Sequence, residues 1–307
     1  MYPIKFSPIV KPKLWGGESW QISGVEGDVS VAANGFLEGN TLEELLEVYM
    51  GDIVGDSVYE RFGNEFPLLI KFIDARDRLS VQVHPNDELA AERHNSFGKT
   101  EMWYVLDSEP GARLVNGFNR SVTKDEYLDA LASGQLEGIL NSVEVKPGNV
   151  FFIPAGRVHA IGAGLSIAEI QQTSDVTYRI YDYERRDAEG NLRELHTDLA
   201  VDAIDYEYHD DFRTDYTAKK GEAVNVVDCK YFTTNVFTLD KPVEKDFPEL
   251  DSFIIYMCTE GGCRIEYDDL RSSVTLKKGE TVLVPAVIKN LCFFPDGDTT
   301  LLEVYVK

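Results

Sequence analysis

The sequence predicts a mainly β protein made of two related β-barrels with a small helical insert, and three observations carry that prediction. From Val143 onward, short apolar segments are separated by glycine and proline, the punctuation of sandwich and barrel folds. Val143-Glu-Val-Lys-Pro-Gly148-Asn-Val-Phe-Phe-Ile-Pro154-Ala is echoed by Val274-Thr-Leu-Lys-Lys-Gly279-Glu-Thr-Val-Leu-Val-Pro285-Ala, so strand, glycine turn, apolar strand and Pro-Ala occur twice. Upstream, Ser80, Gln82 and His84 alternate with Leu79, Val81 and Val83, which is the period of a strand with one polar and one apolar face.

The rest of the chain fits around these segments. A lone Trp15 stands beside Gly16 and Gly17, a packed turn whose glycines let backbone approach closely. Thr41 and Glu44 have capping-box spacing at the head of a short helix, and Thr123 and Glu126 repeat it before Tyr127, Leu128 and Leu131. Phe66-Pro-Leu-Leu-Ile-Lys-Phe-Ile-Asp reads as a buried strand. Asn86 to His94 reads as a helical insert between the Leu79 strand and a second strand that starts at Glu101 and pairs with it. A polar, acidic stretch from Tyr206 leads to the second barrel near residue 225, dividing the chain into 1–205 and 206–307.

Composition narrows the function. With 53 acidic and 30 basic side chains the net charge is -23, which argues against nucleic acid and anionic membrane as partners. Met-Tyr-Pro-Ile-Lys-Phe-Ser-Pro has no signal-peptide core, and no apolar run is long enough to span a bilayer, so a cytoplasmic protein is expected. Cys229, Cys258, Cys263 and Cys292 have no CxxC spacing and read as reduced thiols.

A buried row of Gln82 and His84 facing Glu101 is costly unless something binds it, and a divalent metal is the simplest partner. Gly148, Pro154, Gly156 and His159 fit Gly-x5-Pro-x-Gly-x2-His, which resembles the second motif of the cupin jelly-roll barrels; Gln82-Val-His84 with Glu101 resembles the first, with Gln in the first place and an insert before the Glu. Two imidazoles and a carboxylate make a three-point site that leaves positions open, which suits zinc ahead of iron, manganese or nickel. Gly279 is followed after the same interval by Asn290, so the second barrel reads as a copy without the ligand. His94, His196 and His209 lie in polar surroundings and read as surface residues, with a lesser supporting part for His94.

Ser80-Val-Gln82-Val-His84-Pro, Lys99-Thr-Glu101, His159-Ala, and Glu169 with Ser174-Asp175 and Arg179 together resemble the type I phosphomannose isomerases in their short bacterial form, over about residues 10 to 190. Thr100 and Val176 depart from the longer members, which carry Pro and Asn there. The resemblance implies a zinc enzyme, one ion per chain, that interconverts mannose 6-phosphate and fructose 6-phosphate. It implies Gln82, His84, Glu101 and His159 as metal ligands, Arg179 as the active-site arginine, and Lys99 and Ser80 facing the sugar phosphate.

Aldose-ketose isomerisation moves a proton between C2 and C1 through an enediol, which requires a base and a stabiliser of oxyanion charge. Glu169 is the first candidate for the base, with a metal-activated water and Lys99 as rivals; its alternative role is to fix Lys99 or Arg179. An anionic substrate also needs cations in the pocket, Lys99 and Arg179 first, Lys13 and Arg157 after them. Another metal-dependent cupin enzyme, or a sugar-phosphate-binding cupin without turnover, is the alternative reading, and the chain is expected to be a monomer or homodimer.

Overall fold

The structure, a computed structural model, describes residues 1–187, 189–268 and 271–307. The chain opens with β1 (Ile9–Lys13) and β2 (Gly16–Ile22), then α1 (Leu42–Tyr49), α2 (Gly51–Val54), α3 (Asp56–Phe62), β3 (Leu68–Ala75) and β4 (Val81–Val83). It continues through α4 (Asp87–His94), β5 (Glu101–Ser108), β6 (Arg113–Phe118), α5 (Lys124–Ala132), β7 (Leu140–Glu144), β8 (Val150–Ile153), β9 (His159–Ile161), β10 (Leu165–Gln172), β11 (Tyr178–Tyr181) and α6 (Thr197–Ala203). The last part is all strand: β12 (Ala223–Asp228), β13 (Thr233–Leu239), β14 (Val243–Asp246), β15 (Ile254–Glu260), β16 (Gly262–Tyr267), β17 (Ser272–Lys277), β18 (Thr281–Val284), β19 (Asn290–Pro295) and β20 (Thr299–Tyr305).

Both expected capping boxes are formed. Thr41 accepts from the Glu44 N–H while the Glu44 carboxylate accepts from the Thr41 N–H, and Thr123 and Glu126 do the same for α5. Asn86 caps α4 by accepting from the Leu89 N–H, so the insert before Glu101 is helical as expected. Gly16 earns its place structurally: at φ +145° a Cβ there would lie 1.9 Å from the Asp74 carbonyl oxygen.

Among the described residues four sheets form, in the orders β1-β2-β3-β10-β5-β8, β11-β4-β9-β6-β7, β12-β13-β20-β15-β18 and β14-β19-β16-β17, and none of them closes on itself. With β1, β2, β11 and β12 set aside, β3-β10-β5-β8 with β4-β9-β6-β7 recurs strand for strand as β13-β20-β15-β18 with β14-β19-β16-β17. The echo read at Gly148 and Gly279 is thus one turn of an eight-strand repeat, and both glycines sit at positive φ, 84° and 82°. One expectation is corrected. The Leu79 strand and the Glu101 strand are β4 and β5, and they lie in different sheets rather than side by side. The intervening α4 makes the connection far too long for a hairpin, so β4 pairs with β9 and β11, while β5 pairs with β8 and β10.

By compactness the chain groups into two units, one of Val10–Ser19 and Lys71–Thr214, the other of Met1–Ile9, Trp20–Ile70 and Asp215–Lys307. In the first, Ile73, Trp103, Val105, Phe151 and Ile167 from one sheet pack with Leu114 and Ile161 from the other. Val81, Val83 and Ile180 form a second cluster with Phe118, Tyr127 of α5 and Ala200 of α6, so the helices cover the outer face of the β4 sheet. In the other unit, Phe237, Tyr256, Ile265, Leu276 and Phe293 make the equivalent inter-sheet core. There Glu303 opposes Tyr256 as Glu169 opposes Trp103, and it accepts from Tyr256 Oη (2.7 Å), Asn235 Nδ2 (2.9 Å) and Lys245. The four cysteines are free thiols, and burial pushes Cys258 and Cys263 up to about 12. Among the described residues no helix is long and apolar enough to cross a membrane.

Candidate functional site

Three ligand-type side chains meet inside the first unit. His84 follows the last residue of β4, Glu101 opens β5 and His159 opens β9, and their ligand atoms all lie within 4.8 Å of one another. Two sheets therefore contribute to one point: Gln82 on β4 is paired with His159 on β9, and Glu101 on β5 is paired with Gln171 on β10. Directly opposed residues in antiparallel strands project on the same face. Each of the three is at most 1% exposed.

Their hydrogen bonding defines what the cluster wants. His84 Nδ1 lies 3.1 Å from the Val176 carbonyl oxygen and His159 Nδ1 lies 2.8 Å from that of Arg157, so each ring carries its proton on Nδ1 and turns a bare Nε2 inward. Those Nε2 atoms stand 3.3 and 3.4 Å from the two Glu101 oxygens. A lone pair against a carboxylate gains nothing, and His84 Nε2 and both Glu101 oxygens are buried without a hydrogen-bond partner. Protonating the rings is no remedy: burial pushes both imidazoles below their ordinary value, with Lys99 adding to the effect at each. Two neutral nitrogens and a carboxylate converging on one buried point, each ring oriented by a backbone carbonyl, are a donor set that fits a divalent metal.

A pH dependence follows from the same shifts. The folded state holds both rings neutral, whereas the unfolded chain takes up protons at about 6.5, so metal-free stability falls as the pH drops below that value. Denaturant titrations in chelator at pH 7.5 and 5.5 should show the drop, and His84→Gln should flatten it; equal slopes in the two proteins would count against a neutral buried His84.

The other sequence candidates are distributed around this point. The Gln82 amide nitrogen is 3.1 Å from His159 Nε2, so with that ring's proton on Nδ1 the amide N–H donates to it, which places Gln82 beside the cluster. Lys99 is buried with Nζ 3.6 Å from Glu101 Oε2, and Ser80 is buried immediately before β4. Arg179 on β11 opposes Gln82, half-buried, with Nη1 on the Glu194 carbonyl oxygen (2.7 Å) and Nε without a partner. Burial, then Arg193, lowers its pKa. Beside it, buried Asp182 is held by Arg185 at 2.7 Å and by both Nε and Nη2 of Arg193.

Glu169 is not on Lys99 or Arg179. Its Oε1 accepts from Lys71 Nζ at 2.9 Å and its Oε2 from Trp103 Nε1 at 2.8 Å, all three side chains being buried. Of the weaker cation candidates, Lys13 is half-exposed 3.9 Å from Glu18, and Arg157 is packed against Asn116 and Asp211. Each of the remaining histidines has a hydrogen-bond partner. His94 is exposed though bonded to Tyr178 Oη, but His209 is half-buried against Asp205, and half-buried His196 contacts the Arg179 backbone. Sequence reasoning also passed over Lys71. The available signal was a lone lysine inside Leu-Leu-Ile-Lys-Phe-Ile, since a charge in a fully buried strand requires a partner.

Comparison with known proteins agrees with this site. The family model "Phosphomannose isomerase type I, catalytic domain" matches residues 7–116. The chain is 35% identical over 305 residues to mannose-6-phosphate isomerase ManA of Bacillus subtilis, covering 92% of this chain and 93% of that protein. It is 34% identical to mannose-6-phosphate isomerase of Streptococcus mutans, covering 95% and 89%. A crystal structure of mannose 6-phosphate isomerase from Bacillus subtilis superposes with a TM-score of 0.88 at 31% identity over the whole of both chains. With a buried His-Glu-His cluster at the spacing of its motifs and relatives of this similarity along nearly its full length, the chain belongs to the type I phosphomannose isomerases.

Proposed function

We infer that this protein is a mannose-6-phosphate isomerase, interconverting mannose 6-phosphate and fructose 6-phosphate. The observation that carries the reading is the convergence of buried ligand atoms on His84, Glu101 and His159, those of His84 Nε2 and Glu101 without a hydrogen-bond partner among the described residues, beside Lys99 and with β4 and β9 in the sheet that carries Arg179. Those three, with Gln82, would hold one zinc ion per chain, which when bound supplies Lewis-acid polarisation of the substrate's oxygens.

The chain's own residues have the remaining roles. Lys99 and Arg179 reverse the field of a protein of net charge -23 where the phosphorylated sugar enters, and Ser80 offers a hydroxyl alongside them. Lys99 neutralises Glu101 from 3.6 Å, so the approach of an anion is not opposed by that carboxylate. Two groups can carry the proton between C2 and C1. Glu169 can do so once it releases Lys71; while both its oxygens accept hydrogen bonds it acts as a positioning residue for Lys71. Lys99 is the other. Glu169→Gln and Lys99→Met separate them, the base being the one whose loss removes turnover while substrate still binds.

We further propose that the two eight-strand repeats are cupin jelly-rolls, the metal-bearing one within 1–205 and the other, without metal, within 206–307. Ile254 opens β15 where Glu101 opens β5, and Asn290, opening β19 where His159 opens β9, is exposed and bonded to Asp246.

The test is a coupled assay for fructose 6-phosphate formed from mannose 6-phosphate, before and after chelation and zinc restoration. Activity lost with chelation and regained with zinc is the expected result. A folded, zinc-loaded sample without activity would overturn the isomerase reading in favour of a binding cupin or a different sugar phosphate.

A further inference from the structure

We propose that His196 is the positioning residue that sets Arg179 in the site, an inference that rests on the reading of Arg179 as an active-site arginine. β11 is the edge strand of its sheet: β4 flanks it on one side and, among the described residues, no strand flanks it on the other. An edge residue leaves its outward N–H and C=O without a ladder partner. At Arg179 one residue fills both places. The Arg179 N–H donates to His196 Nδ1 at 3.1 Å, and the His196 N–H donates to the Arg179 carbonyl oxygen at 2.7 Å. His196 thus stands in for the missing strand with a two-bond rung, half of it supplied by a side chain.

The guanidinium is held from the same segment, Arg179 Nη1 donating to the Glu194 carbonyl oxygen at 2.7 Å. Residues 194 to 196 therefore fix backbone and side-chain head together, leaving the buried Nε without a hydrogen-bond partner among the described residues. The rung requires a neutral ring with its lone pair on Nδ1, and the surroundings agree: burial and then the Arg179 charge disfavour the protonated ring, opposed by Glu194, with His94 adding to them. The segment is itself anchored, because His196 is the N-cap residue of α6, which packs on β11 through the cluster containing Ala200 and Ile180. Beneath it the Tyr178 ring lies 6.5 Å from His196, and its hydroxyl is 2.7 Å from His94 Nε2.

Misplacing a charge-bearing group by an ångström costs far more in turnover than in folding. In the zinc-loaded full-length protein, His196→Ala should lower kcat/KM for mannose 6-phosphate roughly tenfold, and His196→Asn, whose Oδ1 can accept in place of Nδ1, should restore it to within about threefold of the parent. In an Arg179→Ala background, His196→Ala should cost nothing further. Exchange of the Arg179 amide hydrogen should accelerate in His196→Ala and slow again in His196→Asn. Parent-like kcat/KM in His196→Ala, or losses that simply add to that of Arg179→Ala, would overturn the proposal. Because amide exchange is read without turnover, an unchanged Arg179 amide in His196→Ala refutes the rung even if the parent protein proves not to be an isomerase.

Discussion

His84→Ala is expected to abolish isomerase activity and metal retention together while the protein stays folded. His84 belongs to neither hydrophobic cluster that joins the strands of its unit, so its loss leaves that packing in place. In the parent protein, zinc at about a thousandfold above its dissociation constant should add about 4 kcal/mol of stability, read as a rise in melting temperature over the chelated form. The variant should melt at one temperature with zinc or with chelator. In chelator it should lose less stability than truncation of a buried ring ordinarily costs, because His84 Nε2 and Glu101 Oε2 face each other at 3.3 Å with no hydrogen bond between them and none to another described residue, and removing one relieves the other. Melting curves under both conditions, with the coupled assay, check all three statements. Full activity in His84→Ala would sink the ligand assignment.

The second large effect is expected at Lys71. Lys71→Met leaves the Glu169 carboxylate buried with only the Trp103 N–H, a loss of about 3–5 kcal/mol for an uncompensated buried charge. In the parent protein burial alone would push the Lys71 ammonium down, but Glu169, Glu18 and Glu101 outweigh it and hold the group above its ordinary value. That contribution is complete below the unfolded lysine value and is lost only as the pH rises through the raised folded one, so it gives no slope near neutrality. In Lys71→Met the ionised Glu169 is left without its cation, so the variant's loss of stability relative to the parent should be smaller at pH 5 than at pH 8. Denaturation midpoints at those two pH values are the measurement. Lys71→Met/Glu169→Gln should recover most of the loss, and a Lys71→Met midpoint equal to the parent's at both pH values would show that Glu169 does not depend on this lysine.

The candidate ligands were legible because they are local patterns: His84 and Gln82 lie on one alternating run, and His159 follows Gly148 at a fixed interval through a turn and a short strand. Which strands pair was not legible in the same way. Pairing is chosen over long separations by the packing of whole sheets, so β4 and β5 converge on one point from two sheets although they seemed neighbours in sequence. Glu169 could be singled out, but its partners could not, since Lys71 lies 98 residues away and Trp103 lies 66. His196 carries no periodic signal at all; its importance comes from an open sheet edge that exists only once β11 has docked. The repeat was visible at one glycine turn, whereas its eight-strand extent lives in hydrogen-bond order that diverged sequence does not record.

The unit made of Met1–Ile9, Trp20–Ile70 and Asp215–Lys307 brings together stretches far apart in the chain, and this orders events during synthesis. The metal-site unit has all its residues once Thr214 has left the ribosome. Residues 20–70, made much earlier, must wait: the Phe66 ring packs on Phe253, and the Asp56 and Ser57 N–H groups are bonded by Asp251. A chain stopped shortly after residue 214 would carry every candidate ligand of the site yet lack Asp251 and Phe253, the residues that hold Asp56, Ser57 and Phe66 in the full-length protein.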